Sequence, residues 1–135
     1  MLKVFKAKDT IFSSNGEIVL NPLKAKVHKE DNGEFYLDLE TDLSYIDYLV
    51  ANNIIIAPTP QGEQAFRIIN NIDKTGTKIK IKANHIFYDT KNYLIVDSYV
   101  DTKNCNYALD HLNSATDNKS PFTTISDVNL TSSYR

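Results

Sequence analysis

The chain has 135 residues, 41% of them apolar, with 15 Lys and Arg against 17 Asp and Glu for a net charge of −2. This composition is typical of a soluble globular chain of one domain with an appendage, large enough to fold without a metal or a disulfide, and its slight acidity argues against a dedicated nucleic-acid-binding protein. The single cysteine, Cys105, excludes an internal disulfide, and the longest apolar run, 54–57, is too short to cross a bilayer.

The clearest pattern near the start of the chain is a β-hairpin from Leu23 to Leu39. Apolar and polar residues alternate on both sides of the loop 31–33, as expected of half-buried strands. A three-residue loop with Gly33 in a left-handed conformation pairs Glu30 with Glu34. The predicted register puts apolar pairs on one face and polar pairs on the other: Val27 with Leu37, Ala25 with Leu39, His28 with Tyr36, Lys26 with Asp38, and Lys24 with Glu40.

The next segment predicts a short helix followed by a buried strand. Within residues 43–50, Ser44 is a candidate helix cap with Asp47 three positions later, and the two form a weak capping box. The apolar run 54–56 then predicts a strand, which the prolines starting at Pro58 prevent from continuing as a central strand.

A second predicted hairpin has its loop at 73–76 and one continuous apolar face. Its opposite face is basic, because Lys78, Lys80 and Lys82 have no carboxylate across the strand to offset them. Such lysines either face solvent and protect an edge strand, or form a docking surface for an acidic partner. In the predicted register the three lysines lie opposite Asn71, Ile69 and Arg67, and the apolar face consists of Phe66, Ile68, Ile72, Ile79, Ile81 and Ala83.

The last third of the chain predicts a strand over 93–100 and one late helix. The pair 101–102 is a candidate helix start, and 123–125 is a short strand candidate after which no terminal element is predicted. The helix has an apolar stripe at helical spacing, formed by Cys105, Ala108, Leu109, Leu112 and Ala115.

Together these elements predict a mainly β, α+β fold. Five or six strands, a short helix and one late α-helix favour a small antiparallel β-barrel. Its predicted core includes Val27, Phe35, Leu37, Phe66, Ile68, Ile79 and Ile81.

The search for catalytic, metal and cofactor chemistry is negative. The four glycines are isolated, so none forms a phosphate-binding loop, and no protease, esterase or thiol-pair motif occurs. Cys105 and His111 would lie about 240° apart on one helix and cannot touch. His85 and Asp89 could share a metal only in a helix, and no third ligand is evident. We therefore predict no catalytic residue, no cofactor and no metal ligand.

Two stretches of the sequence resemble a known family of phage proteins. The runs 61–68, QGEQAFRI, and 78–89, KIKIKANHIFYD, are similar to the amino-terminal region of the minor structural proteins called prophage endopeptidase tail or tail-associated lysin. In that family a Gln-x-Phe-Arg-Ile strand leads through a turn to a strand ending in Ala-x-His-x-Phe-Tyr-Asp, and a helix like 104–116 follows. The similarity covers about 2–125.

The resemblance implies a tail-tip or baseplate hub protein of a siphophage or prophage, with a fold similar to the hub barrel of contractile-tailed phages. Its implied partners are two further copies in a homotrimeric ring, the distal tail protein above it and the tape measure protein. The implied location is the virion tail, after synthesis in the host cytoplasm. Because family members are longer, residues 1–103 would be the hub barrel and 104–135 the helix and the truncated start of a following domain.

Two functional classes remain. The first is a structural virion protein that acts by assembly. The alternative is a fragment of a peptidoglycan endopeptidase or a cell-wall-binding module, although the sequence has no cluster on which a peptidase could be built. For assembly, the candidate interface is the basic face formed by Arg67, Lys78, Lys80 and Lys82, because an uncompensated basic face would repel copies of itself and favour a more acidic partner.

Overall fold

The computed structural model describes residues 1–128 and 130–134, with every side chain except those of 70, 71 and 132–134. The chain is divided into two compact units, Met1–Tyr88 and Asp89–Arg135. The predicted boundary lies later, after residue 103, inside a strand of the second unit that spans Val100–Asn104. The strands are β1 Leu2–Phe5, β2 Ile18–Leu20, β3 Lys24–Lys29, β4 Phe35–Asp42, β5 Ile54–Thr59, β6 Gly62–Thr75, β7 Lys78–His85, β8 Val100–Asn104 and β9 Thr131–Tyr134.

The first unit is one antiparallel sheet of seven strands in the order β2-β1-β5-β6-β7-β4-β3. Its two edge strands, β2 and β3, are consecutive in the chain and are joined by residues 21–23 alone. Four Cα steps span at most about 14 Å, so the sheet must curl until its edges approach each other. Within the described residues, however, β2 pairs with β1 and β3 with β4, not with each other. The mainly β class is therefore confirmed, but the sheet does not close into a barrel.

The concave interior of the sheet holds the main hydrophobic core. Period-two alternation places one face of each strand inward, which is why sequence pattern predicts this core well. Of the predicted core residues, Val27 and Phe35 are half-buried at its margin. The others, Leu37, Phe66, Ile68, Ile79 and Ile81, are all at least 97% buried, as are Leu2, Val4, Leu20, Leu39, Leu49, Ile55, Ala57 and Ala83.

The register of the first hairpin is confirmed for all five predicted pairs. The backbone amide of Glu30 donates to the carbonyl of Glu34 at 2.9 Å, as predicted. The left-handed residue is Asn32, with φ of 57°, and not Gly33. Glycine is required at position 33 for space, because a Cβ there would lie 2.7 Å from the Glu30 side chain.

The register of the second hairpin differs from the prediction. β6 continues to Thr75, which pairs with Lys78, so the connection is a tight turn through Gly76 with φ of 61°. A register shift between Ile68 and Ile72 then changes every pairing beyond it. The predicted register is therefore wrong: Lys80 lies opposite Asp73, and Arg67 lies opposite Asn84. The predicted partner Asn71 has a side chain outside the described part of the chain.

The connection between β4 and β5 is tighter than the predicted helix. A 3-10 helix occupies Leu43–Tyr45, and its N-cap is Asp42, whose carboxylate accepts from the Ser44 amide at 2.9 Å. Ser44 is therefore not the cap. Turns follow as far as Leu49, which is completely buried in the core and anchors the connection.

The second unit contains the predicted helix but not the predicted strands. Helix α1 spans Cys105–Ser114 and is capped by Asn104, so the candidate start at 101–102 is wrong. Residues 93–100 and 123–125 do not form the expected strands; a 3-10 helix covers Ile86–Asn92 and strand β8 starts only at Val100. Strand β9, which pairs with β8, was not predicted, because a four-residue polar strand leaves no alternation in the sequence.

Candidate functional site

The two family-like motifs meet on neighbouring strands, β6 and β7, and form a common cluster around His85. Phe66 lies directly opposite His85. The Nε2 atom of His85 lies 3.0 Å from Oε1 of Gln64, and its Nδ1 accepts from the Phe87 amide at 3.1 Å. Since an amide can only donate, Nδ1 carries no proton and Nε2–H donates to Gln64. We name Gln64, Phe66, His85 and its stacking partner Phe35 the motif cluster.

The motif cluster keeps His85 neutral. The imidazole is half-buried and stacks on Phe35 with ring centroids 4.3 Å apart. Burial, and then the positive charge of Lys29, lower the pKa of His85 below its ordinary value. Because both ring nitrogens are hydrogen-bonded within the first unit, the role of His85 is to connect β6, β7 and the turn after β7.

Tyr88, near the end of the second motif, binds the turn of the first hairpin. The hydroxyl of Tyr88 accepts from the amide of Phe35 at 3.2 Å and donates to the carbonyl of Gly33 at 3.1 Å. Tyr88 therefore ties the turn between β3 and β4 to the residues after β7. The sequence offered no signal for this contact, since the two segments are more than 50 residues apart.

Arg67, the first residue of the candidate interface, is bound within the first unit. Its Nη1 donates to the carbonyl of Asn52 at 2.7 Å and to that of Ala7 at 3.0 Å. These bonds join β6 to the two loops that contain Ala7 and Asn52. The guanidinium thus has a structural role in the isolated chain.

The outer surface of β3, β4 and β7 carries most of the charged side chains of the sheet. Strand β7 lies beside the acidic strand β4. The sequence pattern of each hairpin alone does not predict this pairing. Glu40 lies between Lys24 and Lys80, and Asp38 lies between Lys26 and Lys82. We name this surface, together with Asp73 of the adjoining strand β6, the charged face; it consists of Lys24, Lys26, His28, Asp38, Glu40, Asp73, Lys78, Lys80 and Lys82.

The predicted uncompensated basic strip on β7 is therefore wrong. Lys78 Nζ lies 3.2 Å from the Glu40 carboxylate, and Lys82 Nζ lies 3.7 Å from that of Glu34. Lys82 also sits 3.7 Å above the ring centre of Tyr36. These partners belong to β4 and to the residue just before it, so repulsion between lysines no longer supports an interface on β7.

In the described part of the chain the lysines of the charged face that form no ion pair are Lys80 on β7 and both lysines of the outer surface of β3, Lys24 and Lys26. The two carboxylates opposite them contact other side chains: Asp38 lies 3.3 Å from Nε2 of His28, and Glu40 binds Lys78. As a result Lys24 and Lys26 form no ion pair within the described part of the chain. Both are exposed and line a shallow open cleft of about 840 Å³ along the charged face.

Comparison with known protein families, curated proteins and solved structures finds no match for this chain. Among the residues that the structure describes, no helix is long and apolar enough to cross a membrane, and no three His, Cys, Asp or Glu side chains are grouped as metal ligands would be.

Proposed function

We propose that this chain is a structural component of the tail tip of a siphophage or prophage, equivalent to the hub region at the amino terminus of the prophage endopeptidase tail proteins. It acts by assembly rather than by catalysis. Its partners are further copies in a trimeric ring, the adjacent distal tail protein ring and the tape measure protein, and its location is the virion tail.

This proposal rests on one observation: residues of the two family-like motifs bind other parts of the first unit. Gln64 and His85, one from each motif, form a hydrogen bond to each other, and Phe66 is buried in the core. Arg67 and Tyr88 form hydrogen bonds to backbone groups of three loops. Residues that maintain a fold in this way are what a family of structural proteins would share. Polar groups already committed to such bonds are poorly suited to act on a substrate.

The alternative, a peptidoglycan endopeptidase fragment or a cell-wall-binding module, needs groups that are free to reach the wall. Burial lowers the pKa of His85, but both of its ring nitrogens are occupied by hydrogen bonds. No arrangement in the described residues favours this alternative over assembly.

The proposal is tested in particles released from the bacterium that encodes the chain. Antibodies against the purified chain should label the tail tip in electron micrographs, and deletion of its coding region should give particles without complete tails. Complementation with the wild-type chain should restore tails, as should the surface variant F87A, whereas the core variant F66A should not. Intact tails after deletion, or lysis of host cell walls by the purified chain, would refute the assembly function.

A further inference from the structure

Strand β3 presents an open backbone edge. Among the described residues it pairs with β4 on one side alone. The amide of Glu30 donates inward to Glu34, and hydrogen-bonding direction alternates along an antiparallel strand. The even-numbered residues of β3 therefore bond to β4, and Ala25, Val27 and Lys29 direct their N–H and C=O groups outward.

Both faces beside this edge are also incomplete. On the charged face, Lys24 and Lys26 are exposed and lack ion pairs in the described chain, because Asp38 contacts His28 and Glu40 binds Lys78. On the core face, Ala25 is exposed although its partner Leu39 is 2% exposed. Leu23, just before the strand, is 60% exposed. The edge of the hydrophobic core at β3 is therefore exposed.

From these features we propose that the outer edge of β3 is a binding site for an extended polypeptide strand that alternates apolar and acidic side chains. The strand adds antiparallel to the sheet and bonds to the outward groups of Ala25, Val27 and Lys29. Its carboxylates face Lys24 and Lys26, and its apolar side chains cover the exposed end of the core.

Strand β4 already demonstrates this complementarity on the other side of β3. Its sequence Leu37-Asp38-Leu39-Glu40 alternates in the proposed way, with the leucines on the core face and the carboxylates between lysines. A second copy of β3 is a poor occupant, because lysines would then oppose lysines across the new pair. The site therefore selects an acidic partner strand and rejects symmetric pairing. It does not depend on the tail-tip function.

The test uses the whole chain and two labelled peptides of equal length and hydrophobicity, TLDLELT and TLKLKLT. Fluorescence polarisation should detect binding of the acidic peptide and not of the basic one. Amide exchange should slow at Ala25, Val27 and Lys29 on binding, while the inward amides of Lys26 and His28 stay unchanged.

A charge variant separates the side-chain contribution from the backbone. K24Q/K26Q removes two cross-strand ion pairs and should weaken binding of TLDLELT about fivefold, whereas K91Q/K119Q, which changes two exposed lysines of the second unit, should leave it unchanged. Circular dichroism checks that both variants are folded. Equal binding of the two peptides, protection of other amides, or no binding at millimolar peptide would overturn the proposal.

Discussion

Truncation of Phe66 to Ala is the most direct test of the core described above. Phe66 is 0% exposed, so F66A removes a fully buried ring and leaves a cavity. Such substitutions cost about 3 to 5 kcal/mol. The ring also makes edge-to-face contacts with Phe35 at 5.4 Å and His85 at 5.5 Å, and an aromatic pair adds about 0.5 to 1.5 kcal/mol. We therefore expect a loss in the upper part of that range, about 4 to 5 kcal/mol.

Urea unfolding followed by far-ultraviolet circular dichroism gives the free energy of unfolding. The matched control is F87A, which removes the same atoms from a side chain that is 63% exposed and should cost about 1 kcal/mol or less. If F66A does not fold, the milder F66L should still lose about 1 to 2 kcal/mol. A loss of less than about 0.5 kcal/mol for F66A, the range of surface substitutions, would refute the placement of Phe66 in the core.

Three further substitutions test individual contacts in the same unfolding assay. The pKa of His85 is lowered in the folded chain, so on acidification the unfolded chain binds the proton first. The free energy of unfolding should therefore fall as the pH drops through about 6.5 and level off below the folded pKa. An equally steep fall in H85F would contradict this. Y88F removes the hydroxyl bonded to Gly33 and should cost about 1 kcal/mol, so an unchanged midpoint would argue against that bond. The Thr41 hydroxyl is buried with no hydrogen-bond partner in the described chain, so T41V should stabilise by about 1 kcal/mol and a loss would reveal a partner.

The first hairpin shows how much local pattern can determine. Alternation of apolar and polar residues sets which face of each strand is buried, and a short loop fixes the register within one or two residues. The five predicted pairs between β3 and β4, and the inward side chains of β6 and β7, follow from these two constraints. The late helix was also predicted from its local spacing, although its start was expected at 101–102 and not at the capping residue Asn104.

Tertiary structure decided which strands became neighbours, and through them the electrostatics of the surface. The sequence predicts that Lys24 and Lys26 are compensated and that the lysines of β7 are not, and the structure reverses this for Lys24, Lys26, Lys78 and Lys82. β4 lies between β3 and β7, so Asp38 and Glu40 each have lysines on both sides and can bind only some of them. Sequence patterns describe one strand or one hairpin at a time. A side chain's charge partners depend on strands brought together from distant parts of the chain, because burial of the common core sets the order of the sheet.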